Sequence, residues 1–231
     1  MAAREEIFGT IRRSLGVRGD ERTRRSVVEE RLAHSPKGLI PERGQVSGEA
    51  RVALFKEQAE SVQASVARVA NRAQVPEAVA AYLRDHNLPA ELRMGADPRL
   101  SGMPWDETSL SLKHGVSDGS DLNAVSHAYG GVAETGTLVM VSGPDNPTTL
   151  NFLPDNHIVV VDAAEIAGDY ESMWERLRAA YGKGVMPRTV NYITGPSRSG
   201  DIEQTILLGA HGPRRVHIVI VGEPSGTPAA G

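Results

Sequence analysis

Three short runs of almost uninterrupted apolar residues constrain the fold of this chain most strongly. They lie at residues 138–141, 158–161 and 216–221. A strand with one face in water alternates apolar and polar residues, whereas a strand covered on both faces reads as a continuous apolar run. We therefore expect an α/β fold, a three-layer sandwich with a mixed or mostly parallel sheet between helices. Further candidate strands lie at 92–94, 109–113 and 190–194.

Helical spacing of apolar residues predicts the layers around this sheet. Residues 49–70 carry a stripe that includes Val52, Phe55 and Ala59, although their last part, 66–70, could instead begin a strand. A second helix is predicted at residues 76–86, where Pro76 suits the first helical turn, and residues 170–181 predict a further amphipathic helix.

The ends of the chain differ from this α/β pattern. Residues 3–15 predict an amphipathic helix that packs either on its own domain or on a partner. Residues 16–48 contain Pro36, Pro41 and several glycines with little periodicity, so we expect an extended arm. Residues 223–231 resemble a disordered tail. The expected organisation is an arm at 1–48, a domain at 49–222 and the tail.

Composition excludes several classes of function. The 231 residues carry 25 basic and 29 acidic side chains, which gives no basic face for nucleic acid. The chain has no cysteine, so it offers no thiolate nucleophile and no cysteine ligands for an iron–sulfur cluster. No apolar run is long enough to span a membrane, and charges at Arg4, Glu5 and Glu6 argue against a signal peptide. We expect a soluble, cytoplasmic protein without a cofactor bound by its own cysteines.

The stretch 189–221 contains the first candidate site. It predicts a strand, a turn, a short helix, a second turn and a strand, with Ser199 as the helix N-cap. Arg198 beside a free helix N-terminus would bind a carboxylate or phosphate, although Arg198 could instead pair with Asp201 or Glu203 and only close the turn. The candidate anion-binding residues here are Gly195, Pro196, Ser197, Arg198, Ser199 and Asp201.

The second turn of this stretch contributes His211 and Gly212. His211 could act as a general acid–base, bind a ligand, or cap the carbonyl groups of the helix end. The spacing of glycines in the stretch matches neither a P-loop nor a dinucleotide-binding motif.

A second group of candidates lies at residues 130–141. Glu134 directly precedes a buried strand, where a carboxylate is costly unless it is bonded or paired. Either Thr135, Thr137 and backbone donors tie it into the core, or Glu134, Thr135, Gly136 and Thr137 belong to a site. His157 occupies a comparable position at the start of the next strand. No histidine spacing indicates a metal site, and no serine-hydrolase motif occurs.

Four ordered motifs carry a family resemblance. They are AETGT at 133–137, LPDNH at 153–157, GPSRSGDIE at 195–203 and GAHGP at 209–213. From about Glu49 to Val221 the chain resembles the lactate utilisation protein C family, also known by its LUD domain. One departure is Ser199-Gly200, where the family usually has threonine and alanine.

The resemblance implies a fold similar to the NagB/RpiA/CoA-transferase group. It also implies a role beside two iron–sulfur partner proteins in oxidising L-lactate to pyruvate. It identifies no catalytic residue, because none is established for the family. The absence of cysteine agrees with a subunit that carries no cluster.

Two functions from different classes follow. The first is a non-redox subunit or accessory protein of a lactate-oxidising complex, which binds a small carboxylate, a phosphate-bearing ligand or a partner. The second is an enzyme similar to CoA transferases, in which Glu134 forms an acyl intermediate. In both cases we expect Glu134, His157, Arg198 and His211 to approach one another at one edge of the sheet.

Overall fold

A computed structural model describes residues 2–202 and 205–224. The chain falls into two compact units, one that ends at Leu39 and one that begins at Ile40. The first unit contains helices α1 (Ala2–Leu15) and α2 (Arg22–His34). The elements of the second unit are α3 (Gly48–Ser61), β1 (Ser65–Val69), α4 (Val75–Asp85), β2 (Glu91–Met94), α5 (Pro98–Ser101), β3 (Ser111–His114), β4 (Asn123–His127), β5 (Gly130–Val132), β6 (Thr137–Val141), β7 (Asn156–Asp162), β8 (Ile166–Ala167), α6 (Tyr170–Tyr181), β9 (Val190–Ile193), β10 (Arg198–Ile202), β11 (Thr205–Leu208) and β12 (Arg215–Val221).

Helix α2 shows that the prediction of an irregular arm was wrong for residues 22–34. The segment is rich in arginine and glutamate, which are good helix formers even without an apolar stripe. Pro36 and Pro41 lie beyond its end, where Ser35 adopts a left-handed conformation with φ 42°. None of the residues of α2 is buried.

The main sheet of the second unit has six strands in the order β1-β12-β7-β4-β2-β3, and every neighbouring pair is parallel. The apolar runs at 158–161 and 216–221 are the adjacent strands β7 and β12, with His157 opposite Val216 and Val159 opposite Ile218. The α/β class with a parallel sheet is therefore confirmed, and the continuous apolar pattern identified two of its central strands.

Both faces of this sheet are covered. On one face, Ile158, Val160 and Val219 pack with apolar residues of α4. On the other face, Val159 and Ile218 pack with residues of α3 and of a second sheet. Side chains that alternate along β7 and β12 thus enter opposite cores, which is why neither strand carries the polar alternation of a half-exposed strand.

The second sheet was not predicted. Its four strands run in the order β8-β5-β6-β9, and the apolar run at 138–141 belongs to β6. Leu138 and Met140 face the core shared with the main sheet, whereas Val139 packs with Met173 of α6. The run is continuous because β6 lies between two apolar layers, and it therefore carried no information about which sheet contains it.

Two predicted helical segments are strands. Residues 65–69, at the end of the long helical stripe, form β1, as the alternative interpretation proposed. The predicted short helix after Arg198 is instead the antiparallel hairpin β10–β11, in which Ser199 pairs with Leu207. Ser199 is therefore not a helix N-cap.

Glu203 and residues 225–231 of the predicted tail lie outside the described residues. Within the described part of the chain, no helix is long and apolar enough to cross a membrane.

Candidate functional site

A cavity of about 270 Å³ lies where the second sheet meets the start of β12. Its walls come from residues 192–195 at the end of β9, 197–198 at the base of the hairpin, 211–213 in the following loop, 151–152, and Val216. Arg198 and His211, which the sequence marked as candidates, both line this cavity. This volume lies just below the usual range for ligand sites, about 300–1,000 Å³, and suits a small molecule.

Hydrogen bonds through Ser197 hold the two polar corners of the cavity together. The backbone N–H of Ser197 donates to the carbonyl of Pro213 over 2.8 Å, and the N–H of Gly209 donates to the carbonyl of Ser197 over 2.9 Å. The N–H of His211 donates to the Ser197 hydroxyl over 3.3 Å. The described part of the motif at 195–203 and the motif at 209–213 are therefore joined by hydrogen bonds through Ser197.

Gly195 brings this unit against the end of α3. It has φ 75°, and a Cβ at this position would lie 2.4 Å from the carbonyl oxygen of Val62. The same carbonyl accepts a hydrogen bond of 3.3 Å from the guanidinium of Arg198. This contact engages one of five guanidinium donors and fixes the exposed Arg198 side chain at the cavity wall.

The predicted anion site relied on a helix N-terminus beside Arg198, and the structure has the β10–β11 hairpin there instead. Residues 198–202 form a strand, so within the described residues they do not provide the backbone donors of a first helical turn. Arg198 and His211 line the cavity, and the described residues of the lining include no carboxylate. Ser199 and Asp201 lie in β10, and the side chain of Asp201 is outside the described part of the structure.

His157 lies in the strand next to the cavity but is buried inside the sheet. On β7 it is opposite Val216, which lines the cavity, and its Nε2 lies 3.1 Å from the Ser126 hydroxyl. Burial lowers the pKa of His157 to about 3, so the imidazole is neutral near pH 7. His157 supports the wall of the cavity and does not line it.

The LPDNH motif connects β7 to the same corner. The carbonyl of Asp155 accepts hydrogen bonds from the backbone N–H groups of Arg214, over 2.7 Å, and Arg215, over 3.1 Å. These bonds fix the loop that carries His211 to the start of β7. Three of the four motifs therefore meet around the cavity.

Glu134 is not brought to the cavity. Its side chain is 3% exposed, and its Oε1 accepts a hydrogen bond of 3.2 Å from the backbone N–H of Tyr170 in the first turn of α6. Asp169, the N-cap of the same helix, accepts from the N–H of Ser172 over 2.8 Å. Negative charge is favourable at a helix N-terminus, so the contacts of Glu134 are those of a capping residue.

The threonines beside Glu134 nevertheless reach the cavity through hydroxyl groups. Tyr170 Oη lies 2.9 Å from the hydroxyls of both Thr135 and Thr137, and Thr137 Oγ1 lies 2.7 Å from Thr194 Oγ1. Thr194 lines the cavity. The AETGT motif therefore holds α6 and β9 together behind the cavity wall.

Comparison with known proteins identifies the domain that contains these motifs. Residues 123–221 match the family model of the LUD domain.

This part of the chain is similar to LUD domains.

All four motifs lie within the matched range, which confirms the resemblance to the lactate utilisation protein C family. The match begins at Asn123, well after the Glu49 expected from the sequence.

Proteins similar to this chain include several that are named for lactate utilisation. Lactate utilization protein C of Geobacillus thermodenitrificans is 29% identical over 126 residues, which cover 51% of this chain and 52% of that protein. Lactate utilization protein C of Bacillus subtilis is 34% identical over 93 residues, which cover 40% of this chain and 39% of that protein. The uncharacterized protein NMB1437 of Neisseria meningitidis is 35% identical over 96 residues, which cover 42% of this chain and 40% of that protein. The matches thus span about half the length of these relatives, or less.

A solved structure is similar in fold to this chain. The crystal structure of a DUF162 family protein from Deinococcus radiodurans superposes with a TM-score of 0.55 at 19% sequence identity. The superposition covers 74% of this chain and 96% of that protein.

Sequence reasoning missed Asn151, Phe152, Tyr192 and Thr194 in the cavity wall. Asn151 and Phe152 immediately precede the LPDNH motif, and Thr194 immediately precedes Gly195. Proximity in sequence to two of the motifs was the available signal for three of these residues. Tyr192 lies inside a strand and carried no such signal.

Proposed function

We propose that this protein is a non-redox component of a lactate-utilisation system and that its cavity binds a small carboxylate. The observation that supports this most directly is the juxtaposition of Arg198 and His211 in a cavity whose described lining includes no acidic side chain. The names of the relatives supply the metabolic setting.

The electrostatics of the cavity favour an anion. Arg198 carries a permanent positive charge at the wall, and within the described residues its bond to the carbonyl of Val62 uses one of its five donors. Hydrogen bonds to charged groups contribute about 1.5–3 kcal/mol each. One such bond to a carboxylate accounts for roughly tenfold in affinity or more.

The proposal extends to the partners and the reaction. In it, the protein acts in the cytoplasm beside iron–sulfur proteins that oxidise L-lactate to pyruvate, and its domain is related in fold to the NagB/RpiA/CoA-transferase group. The chain has no cysteine. Because iron–sulfur clusters are usually held by cysteine thiolates, electrons would pass through the partners while this chain binds the carboxylate.

The CoA-transferase-like alternative receives less support from the geometry. A nucleophilic Glu134 would have to reach an acyl donor, yet its carboxylate is buried and one oxygen is bonded to the N–H of Tyr170. Incubation with acyl-CoA followed by mass spectrometry should therefore show no adduct on Glu134.

Calorimetric titration with L-lactate tests the proposal. We expect Arg198→Ala to weaken binding about tenfold or more, because it removes the charged contact. Arg214→Ala is a matched control: Arg214 is exposed on the neighbouring loop and does not line this cavity. Equal affinities of wild type and Arg198→Ala would remove the cavity from the proposed function.

Co-purification tests the partners independently of the cavity. Affinity capture of the chain from its native host should recover cysteine-rich, iron-containing proteins. Capture that recovers none of them would contradict the proposed assembly while leaving the carboxylate site standing.

A further inference from the structure

Helix α1 carries an apolar stripe that stays largely exposed. The stripe consists of Ile7, Phe8, Ile11 and Leu15, whose exposed fractions are 60%, 40%, 46% and 64%. These residues share one face of the helix, because positions three, four and seven apart lie on the same side. A helix normally buries such a face against another element, so the stripe marks a surface for a binding partner.

The helix depends on this stripe for its stability. Helix α1 has 14 residues and contains Gly9 near its middle. Isolated helices shorter than about 12–15 residues are marginal in water, and an interior glycine weakens a helix further. Packing of the apolar face is therefore the main source of stability that α1 can draw on.

One border of the stripe is charged, with opposite signs at its two ends. Arg12 lies on this border, with its guanidinium carbon 5.9 Å from the centroid of the Phe8 ring. Glu5 precedes Arg12 by seven residues, which is about two helical turns, so both residues lie on the same side of α1. The border is thus negative near the start of the helix and positive near its end.

This border complements itself when two copies of α1 run antiparallel. In such a pair the same border of each helix meets, whereas in a parallel pair it meets the other border of the second helix. Packing Phe8 of one copy on Ile11 of the other places Glu5 of each copy beside Arg12 of the other. A parallel pair would instead place both charges beside the uncharged border that contains Ser14.

We propose that α1 is a self-association surface through which two copies of this protein pair, with the helices antiparallel and Glu5 of each copy against Arg12 of the other. A second copy is the occupant that the charges favour, because the border of α1 is complementary to itself. The inference does not rest on the proposed carboxylate site, since no residue of α1 belongs to the described lining of that cavity. It assigns a binding surface to the first unit, to which the proposed function gives no role.

Sedimentation equilibrium of the full chain tests the pairing by charge exchange. Glu5→Arg and Arg12→Glu each replace two attractive contacts with two like-charge contacts, so we expect each to weaken self-association about tenfold. The double variant Glu5→Arg/Arg12→Glu restores opposite charges and should associate nearly as tightly as the wild type. Glu6→Arg is the matched control, since Glu6 lies on the face of α1 away from the stripe and should leave the association unchanged. All three positions are exposed, so the variants should fold as the wild type does.

Disulfide cross-linking tests the orientation of the two helices. The chain has no cysteine, so a disulfide can join only introduced thiols. A mixture of Glu5→Cys and Arg12→Cys chains should give the disulfide between the two variants as the main product, because position 5 of one copy lies beside position 12 of the other. Cross-linking of each variant mainly with itself would overturn the antiparallel pairing.

The remaining outcomes concern the occupant of the stripe. A wild type that stays monomeric over the whole concentration range would overturn the proposal, as would a dimer that both single charge variants leave unchanged. If the wild type is monomeric and Ile11→Asp loses the iron-containing proteins in affinity capture from the native host, the stripe binds that partner and not a second copy. None of these results decides the carboxylate site, which Arg198→Ala tests separately.

Discussion

At the scale of single residues, close backbone approaches fix the position of the AETGT segment. Gly136 has φ 64°, and a Cβ there would lie 2.2 Å from the backbone nitrogen of Ala59 in α3. A side chain is therefore excluded both by conformation and by space. The turn between β5 and β6 can sit against α3 only with glycine at this position.

Gly136→Ala should lower the free energy of unfolding by at least about 2 kcal/mol, since strain and overpacking each cost about 1–3 kcal/mol. Gly143→Ala is the matched control, because a Cβ at Gly143 meets no atom within 4 Å and its φ is not positive. Urea denaturation of both variants measures the difference. Equal stabilities would contradict the tight contact with α3.

Burial of His157 predicts a dependence of stability on pH. The folded state has a pKa of about 3 for this group, below the ordinary value of 6.5, so the unfolded state binds the proton more tightly. The contribution is fully present above pH 6.5 and is lost as the pH falls toward 3. Between pH 7 and pH 5, the titration of this single group should lower the free energy of unfolding by about 2 kcal/mol.

His157→Gln removes the titrating group and should therefore reduce the loss of stability between pH 7 and pH 5 by about 2 kcal/mol. The comparison uses the change in the free energy of unfolding between the two pH values within each protein. A lower absolute stability of His157→Gln therefore does not affect it. Denaturant unfolding at the two pH values gives the measurement. The same loss in both proteins would mean that His157 protonates in the folded state.

At the scale of elements, burial separates the helices into two kinds. Helix α2 has no buried residue, and its Leu32 is 68% exposed, whereas Leu83 of α4 is 1% exposed in the core. Leu83→Ala should cost about 2–5 kcal/mol of unfolding free energy. Leu32→Ala should change it by less than about 0.5 kcal/mol. Chemical denaturation of the two variants checks the contrast, and a large effect at Leu32 would show that α2 is part of the cooperative fold.

The elements also show which parts of the fold were predictable. Strands β7 and β12 and helix α6 were found because their apolar patterns are set by the layers on both sides. Strand β4 was missed because its five residues include Asn123, Ser126 and His127, all buried and bonded inside the sheet. The hairpin β10–β11 was predicted as a helix because Ser199 and Asp201 matched a capping pattern. Short polar segments of this kind take their conformation from tertiary contacts.

At the scale of the whole molecule, the cavity combines parts that no local pattern connects. It is lined by the end of β9 in the second sheet and by Val216 near the start of β12 in the main sheet. Arg198 and His211 were predictable as polar corners, and their meeting depends on the bonds through Ser197. Parallel sheets usually bind ligands at the carboxyl ends of their strands, so the general rule did not indicate this position. Glu134 was expected at the same site but caps α6. A carboxylate before a buried strand is compatible both with a residue bonded into the core and with a residue of a site, so the sequence did not distinguish the two.

Because the cavity joins the two sheets, ligand binding should stabilise the α/β unit as a whole. A ligand that binds only the folded state at one hundred times its dissociation constant adds about 2.7 kcal/mol to the free energy of unfolding. For a protein of this size we expect L-lactate at that concentration to raise the melting temperature by about 5–11 °C. A tenfold loss of affinity reduces the added free energy to about 1.4 kcal/mol, so at the same ligand concentration Arg198→Ala should show about half the increase or less and Arg214→Ala the full one. Calorimetric melts of the three proteins, each with and without ligand, make the comparison. An equal rise in Arg198→Ala would place the stabilising ligand elsewhere in the molecule.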